Sequence, residues 1–127
     1  YPTLCDLASL PVSKTLQGKS LTPLLTGAAA KVKDAAFSQF PRTHEGKDYM
    51  GYAMRTERYR YIEWIDQRTG TIAARELYDH EADPFENQNV ADRLDNASLL
   101  LRLGTQLWDT LPRPEFPHPF LKVSSAR

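Results

Sequence analysis

The 127-residue sequence has a single cysteine, Cys5, so no internal disulfide staples it and no cysteine-based metal site is available. It has no net charge, sixteen basic residues balancing sixteen acidic ones. The basic excess that a nucleic-acid binder or a ligand of acidic membranes ordinarily carries is therefore missing. No apolar run approaches the ~20 residues of a membrane-spanning helix. There is no glycine-rich phosphate loop, no Gly-x-Ser-x-Gly nucleophile motif and no internal repeat. The three histidines, His44, His80 and His118, are scattered, with no two at helical ligand spacing.

What is there reads as a globular chain. Hydrophobic residues make up 41% and charged residues 25% of it, which suits one domain able to bury about two-thirds of its unfolded surface. The centre is a β-hairpin. Residues 52–55 and 59–65 are rich in aromatic and β-branched side chains and flank the polar connection Thr56-Glu57-Arg58. Alternation places Tyr59, Tyr61 and Glu63 on one face and Arg60, Ile62 and Trp64 on the other, so aromatics occur on both faces. A lone hairpin is marginal in water, and the rest of the chain has to cover it.

Further elements follow from the same rules. Residues 35–40 read as a strand stopped by Pro41, followed by a polar loop running to Tyr49. Residues 66–71 are a turn and 72–78 a further strand. Residues 79–84 break regular structure, and Asn87-Gln88-Asn89 prolongs the loop. Asp95 or Asn96 can cap a last helix running to about Leu111, with Leu99, Leu100, Leu103, Leu107 and Leu111 as its apolar stripe and Gly104 as a weak point. At the other end no signal peptide is visible. Pro2 suits the first turn of a short helix that ends at Pro11, and Leu21, Leu24 and Leu25 can bury one more helical turn after Ser20. The expected architecture is α+β: about four antiparallel strands packed against a long C-terminal amphipathic helix. Residues 1–34 form a connecting helix and loops, 35–80 the sheet and 95–111 the helix. These make one subdomain, 1–111, and 112–127 is a Pro-rich extended tail.

Chemistry is sparse. His80, within Asp79-His80-Glu81-Ala82-Asp83, invites a metal reading with oxygen ligands, but a polar turn after a strand, which Asp83-Pro84 supports, is the preferred reading. Arg55, Arg58 and Arg60 alternate with tyrosines, yet Glu57 and Glu63 among them point to cross-strand pairing rather than a nucleic-acid face.

Three stretches in order carry a resemblance. They are Ala36-Phe37-Ser38-Gln39-Phe40-Pro41-Arg42; Met50-Gly51-Tyr52-Ala53-Met54-Arg55-Thr56 with Tyr59-Arg60-Tyr61; and Ala74-Arg75-Glu76-Leu77-Tyr78-Asp79 with Asp83-Pro84, Glu86 and Asn87. Together they resemble the C-terminal subdomain of type I sulfatases of the alkaline phosphatase-like superfamily, closest to iduronate-2-sulfatases. Tyr1-Pro2-Thr3-Leu4-Cys5-Asp6-Leu7-Ala8 and Leu16-Gln17-Gly18-Lys19-Ser20 resemble the segment joining the catalytic domain to that subdomain. The resemblance covers most of residues 1–110.

It implies a part of an enzyme rather than a catalyst. The sulfatase nucleophile is a formylglycine made from the cysteine or serine of a Cys-x-Pro-x-Arg motif, beside Ca²⁺. Cys5 is followed by Asp6-Leu7-Ala8 and is not that cysteine. Formylglycine and Ca²⁺ are therefore expected in an N-terminal catalytic domain, the chain's expected partner, and the chain alone is expected to be inactive. The implied role is to pack on that α/β domain and shape the cleft for a sulfated sugar, with the loop 41–49 at its rim. Arg42 either binds a uronate carboxylate or sulfate, or is tied to a carboxylate such as Glu76. His44 and Lys47 face the sugar or are solvated loop residues. Tyr52 and Trp64 stack on a sugar ring or sit in the core or against the other domain. Glu76 reads as the arginine's partner. No nucleic-acid partner and no membrane span is expected. The resemblance also implies export, periplasmic or extracellular in a bacterium and lysosomal in an animal. The alternative is a freestanding, non-catalytic carbohydrate-binding or assembly module.

Overall fold

The computed structural model describes residues 1–16 and 18–116. Its elements are α1 (Pro2–Leu7), α2 (Thr22–Leu25), β1 (Ala36–His44), β2 (Lys47–Arg55), β3 (Tyr59–Asp66), β4 (Ile72–Asp79), a 3-10 turn (Leu94–Asn96) and α3 (Ala97–Thr110). They fall into two compact units, Tyr1–Asp34 and a second beginning at Ala35. No described helix is long and apolar enough to cross a membrane.

In the first unit each short helix carries a proline in its first turn, where a missing N–H costs nothing. Ser9, at φ +54°, reverses the chain after α1, two residues before Pro11. The two helices are held by side chains. Ser20 Oγ donates to Asp6 Oδ2 at 2.7 Å and accepts from the Thr22 amide at 3.1 Å, while Thr3 Oγ1 accepts from the Leu21 amide at 3.0 Å. The burial expected for Leu21, Leu24 and Leu25 does not occur, and all three are exposed. Two helices of six and four residues enclose too little volume. Among the described residues of this unit only Cys5 is buried.

The second unit is an antiparallel meander, β1-β2-β3-β4, with α3 on one face. Its turns explain its register. Glu45 and Gly46 take φ +50° and +72°, as a two-residue hairpin loop requires. The β1–β2 hairpin therefore stays paired to its tip, His44 opposite Lys47. This corrects the expected stop at Pro41 and the expected loop to Tyr49. Pro41 lies on an edge strand, where its lack of a donor is tolerated, and the strand runs three residues past it. Between β2 and β3, Thr56 Oγ1 accepts from the Tyr59 amide at 2.9 Å. Between β3 and β4, Asp66 Oδ1 accepts from the amides of Arg68 (2.8 Å) and Thr69 (3.0 Å), lowering its pKa. One extra β4 residue, Ala73, bulges where the register steps from Trp64–Ala74 to Ile65–Ile72.

Strand alternation then sorts the faces. Tyr52, Met54, Tyr61, Ile65 and Leu77 form the core with Leu103 and Leu107 of α3, while Leu99, Leu100, Leu111 and Trp108 pack around it. The leucine stripe expected of the helix is thus its buried face, each fully buried leucine worth roughly 1.5–3 kcal/mol. Neither expected cap operates. A 3-10 turn leads into α3, and Asn96 Nδ2 donates to the Val90 carbonyl at 2.8 Å instead. Gly104 lets α3 lie close against Glu63 and Tyr61 of the sheet. A Cβ there would stand 3.2 Å from Glu63 Oε1. Beyond α3 the chain has no regular secondary structure to Phe116, whose ring lies against Gly70. The rest of the expected tail, and His118, lie outside the described residues.

Candidate functional site

Glu63 is only 3% exposed, yet it is a carboxylate. Tyr61 OH donates to its Oε1 at 2.5 Å and Trp108 Nε1 to its Oε2 at 2.7 Å, while Arg75 Nε stands 3.7 Å away. Burial first, and then the Glu63 carboxylate, pushes the Tyr61 phenol far above its ordinary range. Every acceptor faces a donor, so this buried group joins β3 to α3 as structure. Tyr52 belongs to the same face, its ring centroid 5.0 Å from that of Trp108 at a 58° tilt.

The opposite face is built around Trp64. Its cross-strand neighbours are Gly51 on β2 and Ala74 on β4, with Phe40 next in the row on β1. The indole lies flat on Gly51. A Cβ at that position would come within 2.8 Å of Trp64 Cζ3, so only glycine seats the ring. Trp64 Nε1 donates to Glu76 Oε1 at 2.6 Å, and Tyr78 OH donates to Glu76 Oε2 at 2.7 Å. Burial, with the Glu76 carboxylate second, pushes the Tyr78 phenol up to about 12. From β1 the Arg42 guanidinium lies over the indole, 5.7 Å from its centroid. The ring thus touches three other strands. Phe40, 66% exposed, continues this face outward.

Beside it lies a charged cluster. Glu86 Oε1 receives Arg60 Nε at 2.9 Å and His80 Nε2 at 2.5 Å, and Glu86 holds φ +57°. Arg58 grips Asp79 with two donors, at 2.8 and 2.6 Å, and also pairs with Glu81. The Arg58 hydrogen bonds hold the Asp79 carboxyl below its usual range. Arg58 and Arg60 are thus paired with carboxylates of β4 and the loop after it, in keeping with the expected pairing across strands. Among the described residues no group of three or more His, Cys, Asp or Glu side chains could hold a metal ion, and His80 is engaged by Glu86. Asn89 closes the β4 edge: its Oδ1 accepts from the Leu77 and Ala91 amides, both at 2.9 Å, and its Nδ2 donates to the Arg75 carbonyl at 3.1 Å.

Of the four residues singled out from sequence, the fold brings Arg42 and Glu76 to opposite sides of Trp64, without an ion pair between them. His44 stands exposed at the β1–β2 tip, its Nε2 4.0 Å from Glu45. Tyr52 is on the far side of the sheet, buried. The Trp64–Glu76–Tyr78 chain was not anticipated. One signal for it was present. Pairing Arg55 with Arg60 across the Thr56-Glu57-Arg58 turn sets Gly51 opposite Trp64, a glycine–aromatic pair. Both Glu76 oxygens accept hydrogen bonds, and a guanidinium can take an oxyanion through a bidentate contact.

A four-stranded antiparallel meander carrying one amphipathic helix is an α+β fold. The comparisons with known proteins give it a family. The model of N-sulphoglucosamine sulphohydrolase, C-terminal, matches residues 1–112. The chain belongs to this family and corresponds to the C-terminal domain of type I sulfatases. It is 30% identical over 125 residues to a Delta 4,5-hexuronate-2-O-sulfatase of Bacteroides thetaiotaomicron, a match covering 98% of this chain and 25% of that protein. It is 36% identical over 99 residues to arylsulfatase K of Gallus gallus, covering 72% of this chain and 17% of the relative. A solved 2-O GAG sulfatase superposes with a TM-score of 0.71 at 31% identity, over 85% of this chain and 22% of that one. The chain thus spans about a quarter or less of the length of these relatives. The residues present do not fit a formylglycine or Ca²⁺ site, Cys5 being buried and outside any Cys-x-Pro-x-Arg run. No chemical step is assigned to them.

Proposed function

We propose that this chain is the C-terminal part of a sulfatase, a sulfuric ester hydrolase acting on sulfated sugars, whose catalytic groups lie in an α/β domain that precedes it. The observation carrying the reading is the family match across residues 1–112, at a quarter or less of the relatives' length. The chain's own role is to pack on that domain and shape the substrate cleft. The β1–β2 hairpin, with Arg42 above Trp64 and His44 and Lys47 at its tip, forms the rim. Arg42 there meets a sulfate or uronate oxyanion, while Glu76 holds the indole beneath it and Tyr52 supports the sheet from the other side. The finer reading is a 2-sulfated uronate as substrate, in the manner of iduronate-2-sulfatases; the hexuronate-2-O- and 2-O-sulfatase relatives support it. Export from the cytoplasm goes with this reading.

The test uses the intact sulfatase and two substrates, a chromogenic aryl sulfate and a 2-sulfated uronate. Arg42→Ala is expected to raise KM for the uronate about tenfold, a loss of ~1.4 kcal/mol, with little change for the aryl sulfate. Because Arg42 is exposed and, among the described residues, its guanidinium contact is the Trp64 ring, its replacement should cost the fold no more than about 0.5–1 kcal/mol. Equal effects on both substrates would remove Arg42 from the cleft. A 127-residue chain that neither restores nor alters the activity of the catalytic domain would point to a freestanding glycan-binding module instead.

A further inference from the structure

Between α3 and the β3–β4 half of the sheet lies a cavity of about 670 Å³, a volume typical of small-molecule sites. Its apolar walls are Ile65 and Ile72 from the strands, Leu100 and Trp108 from the helix, and Phe116 from the segment beyond it. That last wall is seated by a glycine. The Phe116 ring lies so close to Gly70 that a Cβ there would come within 2.7 Å of it. Two guanidinia also line the cavity, Arg75 from β4 and Arg113 from the segment after α3. Arg75 is fixed on one side by Glu63, its Nε 3.7 Å from Oε1, and by Tyr61, yet its side chain remains 45% exposed. Arg113 is held over the Trp108 ring, 5.5 Å from the centroid. Among the described residues that line the cavity the one carboxylate is Glu63, which is buried and already holds the Tyr61 and Trp108 donors. Two cationic groups are thus set against apolar walls, with one carboxylate that is already engaged.

We propose that this cavity binds an organic anion with an apolar body, its carboxylate, sulfate or sulfonate group held by Arg75 and Arg113 and its aromatic or hydrocarbon part lying among Ile72, Leu100 and Phe116. Charge complementarity selects the anion, since a guanidinium takes an oxyanion through a bidentate contact. Pre-organisation favours it further. Arg75 is anchored by a buried carboxylate and Arg113 by a ring, so each loses less side-chain freedom on binding than a free arginine would. The walls select the body. A sugar would bring hydroxyls that need partners, and a buried polar group without one is costly. The hydroxyls lining the cavity are spoken for, Tyr61 OH donating to Glu63 and Thr105 Oγ1 to the Leu101 carbonyl at 3.0 Å. This ligand therefore differs in kind from the sulfated sugar assigned to the rim, and its site is on the other face of the sheet from Arg42. The proposal stands on the cavity and does not need the sulfatase reading.

Calorimetric titration and amide NMR of the 127-residue chain test it with three probes. They are 2-naphthalenesulfonate, 2-naphthol with the same body and no charge, and glucose 6-sulfate with the charge and a polar body. The sulfonate should bind with a Kd below about 1 mM and shift the amides of Gly70, Gly104 and Thr105, leaving those of Arg42 and Gly51 in place. The naphthol and the sugar sulfate should each bind at least about tenfold more weakly. Two variants at exposed positions keep the fold and change the cavity. Arg113→Gln removes one guanidinium, and Leu101→Glu, at a cavity residue 75% exposed, adds a repelling carboxylate. Each should weaken the sulfonate about tenfold. No sulfonate binding up to about 10 mM, or binding that neither variant weakens, overturns the proposal. So does binding that shifts Arg42 and Gly51 instead. Glucose 6-sulfate bound as tightly as the sulfonate overturns the apolar body, and naphthol bound as tightly overturns the role of the arginines.

Discussion

The two faces of this sheet arise from one alternation and end in opposite states. On the α3 side the even residues of β2 and the odd residues of β3 and β4 meet a helix, and even a carboxylate, Glu63, is sealed in with both oxygens satisfied. On the other side Trp64 lies over a bare glycine, with Glu76 holding its edge and Arg42 above its ring. The first face obtains its stability from removing apolar surface from water. The second holds an aromatic ring in a fixed pose by polar bonds while leaving its guanidinium and Phe40 outward.

The comparison can be broken most strongly from the covered side. Leu107→Ala, in the centre of the core, should cost about 2–5 kcal/mol and lower the thermal midpoint steeply; an effect under 1 kcal/mol would mean that α3 is not holding the sheet. Next comes Glu63. Removing it in Glu63→Ala strands Tyr61 OH and Trp108 Nε1, at about 1–3 kcal/mol for each buried group. Glu63→Gln retains an acceptor oxygen and should lose visibly less in the same denaturant titration. Equal losses would show that volume rather than hydrogen bonding matters there.

The open side is sharpened by Gly51→Ala. The added methyl meets the indole, so the ring must leave its seat, at about 1–3 kcal/mol, and its fluorescence should shift toward that of solvated indole. An unshifted spectrum would contradict the flat pose. The smallest effect is electrostatic and depends on pH. Asp79 has its folded pKa depressed, so its pairing with Arg58 stabilises the protein above the ordinary carboxylate pKa of about 3.9 and is lost as pH falls through the folded value. Arg58→Gln should therefore melt below the parent at pH 6, with the gap closing under about pH 3. A gap constant with pH would assign the loss to packing instead.

Much of this was legible in the residues. The hairpin around Thr56-Glu57-Arg58, the strand at 72–78 and the leucine stripe of α3 follow from local period and turn chemistry. The sulfatase resemblance followed from three short runs in register, and the family match agrees with it at the level of the C-terminal domain. Pro41 misled because a proline stops a central strand but not an edge one, and edge or centre is a property of the whole sheet. A pair with Glu76 was one of the two readings of Arg42. The fold puts Trp64 between them, since they sit on the two outer strands, β1 and β4, and face the same ring from opposite sides.

By itself, then, the sequence determined the turn between the two central strands, which side chains alternate there, the apolar stripe of α3 and the runs that resemble type I sulfatases. These depend on interactions between residues near one another along the chain, or on patterns that survive without coordinates. Tertiary structure alone decided which face α3 would cover. It also decided that Glu63 would be buried with two donors while Glu76 would hold an indole at the open face, and that the leucines of residues 1–34 would find no core here. Those outcomes depend on which distant segments occupy the same space, and local period carries no record of that.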